Sequence, residues 1–438
     1  MITEFRQLKQ YLEKARMGSF LIVPLKYDEN RLDFTWLSAN ATLAPFETMD
    51  INESVKQIFN GKDRANVMSR YKIDRQTLHS HLLDGKTSDF FYACEKGTDD
   101  FSEKQKFTIE NAEVYIFHTQ VAFLSVEIRF TRMSLLDTIV NLGYTDSNVD
   151  YFYTDEKGRP QKFDFEAGLV KMCGYSGLGL FFDTKASIFL DGYTYTTAVI
   201  EKRFENLDTM RRIAFNLHLM VDPEREVEDR SEEDVNFTYA VKDQTMGSYR
   251  WGCCITSQTI SYIVADADMD IDAEMLRQCE NGLPVVLLAL YQKYTCLRFK
   301  GLISITDKKK TNRLKTLKRQ MLEFQAYGTV TPANISRWNN VRRTYRYLLD
   351  ANAVGEAVDD ISVTINLLSE KQKETEAAQS DAVIGLISLL GIVSIPLSIV
   401  ELTQLFSTGN TANIITAVAS LACVVSIIAY LLLHKDKT

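Results

Sequence analysis

Over the first 270 residues, short runs dominated by β-branched and aromatic side chains alternate with stretches of helical spacing. Residues 19–25, 113–117, 120–130 and 259–264 read as strands, because such side chains pack well on a pleated surface. In 4–16, 133–142 and 207–220 the apolar positions recur every three or four residues, which gathers them on one helix face. Residues 1–270 are therefore expected to form a mixed α+β domain. The acid-rich stretch 224–234 reads as an exposed loop.

Beyond Asp272 the strand signals stop. Residues 283–299 are rich in Leu and Tyr, 310–324 are basic with helical spacing, and Pro332 opens a further helix. There Trp338, Val341, Tyr345, Leu348, Ala351, Val354, Val358, Ile361, Ile365 and Leu368 form a narrow apolar seam of the kind used in helix–helix packing. With no Gly-Pro break before Ala382, the pattern predicts a helical region at 271–381 that ends in one long stalk helix from about Asn334.

The segment 382–400, AVIGLISLLGIVSIPLSIV, carries no charge, and with its continuation to Phe406 it matches a ~30 Å hydrocarbon core at ~1.5 Å per residue. A polar turn, 407–413, leads to a second uncharged run at 414–433. A soluble hairpin would expose a large apolar surface, so the pair is expected to form a transmembrane hairpin. Lys371 and Lys373 before it, and Lys435 and Lys437 after it, flank a loop without Lys or Arg. That asymmetry predicts a multi-pass protein of the inner (cell) membrane with both termini cytosolic and a short tail at 434–438.

Composition changes this picture little. The apolar fraction of 45% and charged fraction of 25% are ordinary for a globular chain, so the apolar signal is local. The charged opening residues do not resemble a signal peptide. Seven cysteines, Cys94, Cys173, Cys253, Cys254, Cys279, Cys296 and Cys423, lack CxxC spacing and read as free, mostly buried thiols. A net charge of −8 gives no footprint for direct nucleic-acid binding. The local basic run Lys308, Lys309, Lys310, Arg313, Lys315, Lys318 and Arg319 suits an anionic ligand, lipid headgroups or a solvated helix face.

No motif calls for catalysis, and the chain is expected not to be an enzyme. The acidic stretch 266–274 lacks the Gly and Glu of a calcium loop, since Ile271 and Arg277 occupy those positions, and reads as a turn with helix-capping acids. The glycines at 174, 177 and 179 fit neither dinucleotide nor phosphate-loop spacing and read as a turn. His79 and His81 are the one close histidine pair, and no metal site is predicted.

The full layout of mixed domain, stalk, hairpin and basic tail resembles the CorA family of divalent-cation channels, and Ile395-Pro396-Leu397-Ser398 is similar to the proline-bearing stretch of CorA inner helices. The resemblance implies a homo-oligomer, a pentamer, in a lipid bilayer. The family's Gly-Met-Asn motif is replaced in the inter-span loop by Gly409-Asn410. In that respect the chain looks like the CorA-like membrane effectors of type III CRISPR antiviral systems. That likeness implies gating through the cytosolic domain by a nucleotide second messenger, S-adenosylmethionine-AMP or similar, with a divalent cation as a further ligand. On the first span Ile387, Gly391, Ser394, Ser398, Glu401 and Leu405 share one face that suits a pore and suits close helix packing equally. Glu401 favours the pore, because a carboxylate near a membrane needs water or a partner. The expected function is a gated channel or effector, with a magnesium-type transporter and a membrane-anchored enzyme or scaffold as alternatives.

Overall fold

Among the described residues of the computed structural model, thirteen strands pair into one mixed sheet. The structure describes residues 2–28, 31–60, 67–98, 101–130, 149–182, 192–220, 238–242, 244–267, 269–305 and 311–408, and the side chains of the last helix as far as Ser388. The sheet runs in the order β11 (Thr238–Lys242), β12 (Tyr249–Ile255), β13 (Thr259–Ala265), β10 (Tyr193–Ile200), β1 (Arg16–Lys26), β6 (Val121–Phe130), β5 (Lys106–Phe117), β4 (Phe91–Glu95), β7 (Val149–Thr154) and β8 (Pro160–Phe163). Off this path β2 (Thr42–Ala44) pairs with β3 (Met68–Ile73), β3 with β5, and β9 (Gly179–Leu180) with β1. The β10–β13 pair is parallel, and the neighbouring β1–β10, β1–β6 and β5–β6 pairs are antiparallel.

Strand β1 lies at the centre, and residues 17–25 are all buried. Burial on both faces explains why 20–25 read as an unbroken apolar run rather than an alternation. Pro24, which cannot donate to a ladder, pairs with Phe123 where the register to β10 has already ended at Ile22. One face of the sheet, with Leu21, Val126, Val114 and Ile263, packs against α1 (Ile2–Leu12), α4 (Arg75–Leu82), α5 (Phe165–Tyr175) and α6 (Leu207–His218) in a single core. The other face meets α7 (Ile271–Ile305), where Tyr291 stacks on Phe117 at 4.1 Å and Tyr294 meets Phe123 edge-on at 5.6 Å. Residues 285–291 of α7 are buried all round, as their continuous hydrophobicity requires.

Two short helices, α2 (Phe34–Asn40) and α3 (Glu53–Asn60), lie between β1 and β3. After α7 come α8 (Thr311–Glu323), a wide turn at Phe324–Gly328, α9 (Pro332–Ile335), α10 (Asn339–Ala351) and α11 (Val354–Thr408). The chain divides into two compact units, Met1–Gly301 with Leu322–Asp359, and Leu302–Met321 with Asp360–Thr438. In the second unit Ile361 and Ile365 are buried, and the Lys318 ammonium donates to Ser369 Oγ at 2.6 Å.

The stalk expected as one helix from Asn334 is interrupted twice. Ser336 is extended at φ −153°, and Trp338, the first residue of the seam, is an exposed N-cap. At the second break the Asn352 amide returns to Leu348 O at 2.9 Å and Ala353 takes a left-handed φ of +49°. Neither break is marked by glycine or proline, so the seam looked continuous in sequence.

The transmembrane hairpin expected at 382–406 and 414–433 is not found. Among the described residues no helix is long and apolar enough to cross a membrane. α11 is long, but over its described side chains it carries Glu356, Asp359, Asp360, Glu370, Lys371, Lys373, Glu374 and Asp381. Residues 414–433 lie outside the described residues. The CorA-like fold class, the multi-pass inner-membrane location and the ion-channel description rested on that hairpin, and the correction removes them. The described fold is a large mixed sheet with helices on both faces.

Candidate functional site

Where α7 crosses β10 and β13, the side chains leave a gap. The parallel register sets Tyr195 beside Ile260, and alternation puts Tyr262 on the same face as Ile260. From α7, Gln278, Gly282, Val285 and Val286 face them, and α10 adds Val341 and Thr344 one turn apart. Asp50, from the loop before α3, completes a half-open pocket of about 30 Å³. All of these residues belong to the first unit.

The wall positions are fixed by polar contacts. Asn281 Oδ1 accepts from Thr48 Oγ1 and from the Met49 N–H, both at 2.9 Å, and so pins the loop that carries Asp50 to α7. On the far side of Asp50, the Asn52 N–H donates to Ile335 O at 2.8 Å. Tyr195 donates to Gln278 O at 3.2 Å and stacks on Phe20. A Cβ on Gly282 would lie 2.1 Å from the Tyr195 hydroxyl, so this crossing requires glycine. Tyr262 stacks on Trp251, and Thr344 shares a hydrogen bond with Tyr239 at 2.8 Å.

The Asp50 carboxylate makes no hydrogen bond or ion pair among the described residues. Burial pushes its pKa up; the Arg277 charge opposes the rise and Glu274 adds to it. Arg277 is committed elsewhere, since its Nη2 and Nε donate to the two Glu274 oxygens at 2.6 and 2.9 Å. Gln278 Nε2 also donates to Glu274 Oε1 at 2.6 Å. Arg250, which with Arg203 holds Asp266, also acts on Glu274, so Glu274 is compensated while Asp50 has no counter-charge in direct contact among the described residues. Burial raises Tyr195 and Tyr262 well above the usual phenol range, so both keep their protons at neutral pH.

The residues singled out from sequence do not meet here. Ile387 is half-buried on α11; Gly391, Ser394, Ser398, Glu401 and Leu405 follow along the same helix at positions whose backbone alone is described. Gly409 and Asn410 lie outside the described residues. The pore these residues were to line belonged to the hairpin. The four described acids of 266–274 are taken up separately: Asp266 by Arg203 and Arg250, Asp270 as a cap on the Ala273 N–H, Asp272 by Arg16 and Glu274 by Arg277. Among the described residues no three His, Cys, Asp or Glu side chains are grouped to hold a metal. The glycine-rich turn after α5 works by shape: Gly177 has φ +74°, and a Cβ there would lie 1.9 Å from Arg31 O. His79 is buried against Ile109 O, and His81 packs between Trp36 and Tyr175.

Asp50 was missed because its setting is made by contacts across more than 200 residues, such as Thr48 with Asn281. The sequence offered little signal, because Gln278 and Asn281 stand among Asp272, Glu274, Arg277 and Glu280 in the polar first turns of α7, and only the fold shows that the two amides are buried. In comparisons with known proteins, no family model matches the chain and no curated protein matches its sequence.

Proposed function

We propose that the sheet-bearing unit is a small-ligand-binding domain with a regulatory role, its site the pocket between α7, α10, β10 and β13. The observation that carries this reading is the unpartnered Asp50 carboxylate on the wall of a pocket whose other polar groups are held in place. Natural folds pair their buried polar groups, so a half-buried charge left open toward a cavity points to a ligand. Binding rather than catalysis is supported by the reactive groups nearby. Burial pushes the Cys279 thiol, next to Gln278 on α7, up to about 12, far from a nucleophilic thiolate at neutral pH. No histidine lines the pocket.

Of the sequence reading this keeps control through ligand binding and drops the membrane. At about 30 Å³ the pocket is far below the roughly 300–1,000 Å³ of sites that enclose drug-sized ligands, so a nucleotide messenger is not assigned to it. The test is a thermal-shift screen of small polar compounds on the full chain, beside Val341→Phe, which fills the pocket from the α10 side. The reading expects at least one compound class to raise the melting temperature of the wild type and not of a folded Val341→Phe. Equal responses in the two proteins would overturn it.

A further inference from the structure

We infer that the pocket selects a primary ammonium head group, the charged end of a small alkylamine. This rests on the reading of the pocket as a ligand site and names its chemistry.

Size sets the first limit. A cavity needs about 10–15 Å³ on this measure to hold one water, so about 30 Å³ accepts two or three non-hydrogen atoms. A methylene and an –NH₃⁺ group fit, whereas a carboxylate with its attached carbon or a quaternary ammonium is bulkier at the head. The rest of a longer amine would leave through the open mouth.

Charge sets the second limit. Asp50 has no hydrogen-bond or ion-pair partner among the described residues, and Arg277, the cation whose charge acts on it, is held bidentately by Glu274. An anion entering here would meet Asp50 and Glu274. A neutral alcohol would leave Asp50 uncompensated. A cation supplies the missing charge, and a carboxylate–ammonium contact in a half-buried site is a charge-assisted hydrogen bond.

Hydrogen-bonding capacity sets the third limit. An ammonium brings three donors and no acceptor. Three residues of the lining, Asp50, Gln278 and Thr344, carry side-chain oxygens that can accept; the Gln278 amide nitrogen already donates to Glu274, and Thr344 Oγ1 shares a hydrogen bond with Tyr239. Tyr195 and Tyr262 add aromatic side chains to the lining. A bare alkali ion would need more oxygens than one carboxylate and these neutral groups provide.

The experiment is calorimetric titration of the full chain with ethylammonium chloride, with potassium chloride, sodium acetate and ethanol at matched ionic strength as the other arms. The inference expects saturable binding of ethylammonium alone, at least tenfold weaker in the near-isosteric Asp50→Asn. Binding should also fade as pH is lowered through the raised pKa of Asp50. Arg277 and Glu274 are the charged groups facing Asp50, so Arg277→Gln should tighten binding rather than abolish it.

Saturable binding of acetate or ethanol in preference to the amine would overturn the ammonium assignment while leaving the pocket reading intact. So would ethylammonium affinity unchanged in Asp50→Asn, or an equal response to potassium. Absence of binding by every probe, together with identical thermal-shift behaviour of Val341→Phe, would overturn both.

Discussion

Two carboxylates of the same unit meet opposite treatment. Glu113 on β5 has a side chain only 10% exposed and is surrounded by donors: Arg70 reaches both oxygens at 2.7 and 3.1 Å, Lys72 lies at 3.5 Å, and the Tyr115 hydroxyl donates to Oε2. Asp50, beside the pocket, has none. The register explains the first case, because β3 and β5 set Arg70 opposite Tyr115 and Lys72 opposite Glu113, so cation and anion are neighbours on one face. Asp50 sits on a loop whose ties to α7 and α9 pass through Thr48, Met49 and Asn52, never through its own side chain. A carboxylate enclosed by donors belongs to the structure of the sheet. One that is partly desolvated and left open is a cost to folding that a ligand can relieve.

The sharpest way to break this contrast is Glu113→Ala. It strands the Arg70 guanidinium, 11% exposed, without its partner, and losing one side of a buried pair costs about 3–5 kcal/mol. Urea unfolding followed by circular dichroism measures the loss. A change below about 1 kcal/mol would show that the network is not structural and that the two carboxylates are alike.

A smaller effect is expected at the pocket wall. Gly282→Ala places a methyl 2.1 Å from the Tyr195 hydroxyl and 2.7 Å from the ring carbon that bears it. Forced repacking of this kind costs about 1–3 kcal/mol. The same unfolding assay should find the loss only partly restored by adding Tyr195→Phe, because the ring carbon still collides. Full stability of Gly282→Ala would mean that α7 does not press on β10 as closely as the pocket geometry requires.

How much of this was legible in sequence follows the range of the interactions. The strands predicted at 19–25, 113–117, 120–130 and 259–264 lie within β1, β5, β6 and β13, apart from Gln120, which precedes β6, because β-branched and aromatic runs report local fit to a sheet. The helical character after Asp272 was legible for the same local reason. The hairpin expectation took hydropathy as sufficient, and among the described residues no helix is long and apolar enough to cross a membrane. Helix 133–142 and the acidic loop 224–234 lie outside the described residues. The seam through Val341, Tyr345 and Leu348 was read as a helix-packing face and its residues are buried, but the breaks were hidden because Ser336 simply turns extended and Ala353, an ordinary residue, takes a left-handed φ. Nothing local marks Asp50, whose loop reaches its place through Asn281, Asn334 and Ile335.

The most direct test of the central claim, that Asp50 is left unpaired for a ligand, is the smallest in size: the unfolding free energy of Asp50→Asn against wild type, without ligand, from pH 7.5 down to pH 4. Burial raises the folded-state pKa of Asp50 above its ordinary value of 3.8, so the folded chain holds that proton more tightly than the unfolded chain. Stability from this group therefore falls as pH rises from the unfolded value through the folded one. Asp50→Asn removes that loss and should be more stable than wild type at pH 7.5, with the advantage shrinking toward pH 4. A loss of more than about 1 kcal/mol at pH 7.5 that disappears in acid would mark Asp50 as a paired structural carboxylate like Glu113 and contradict the account.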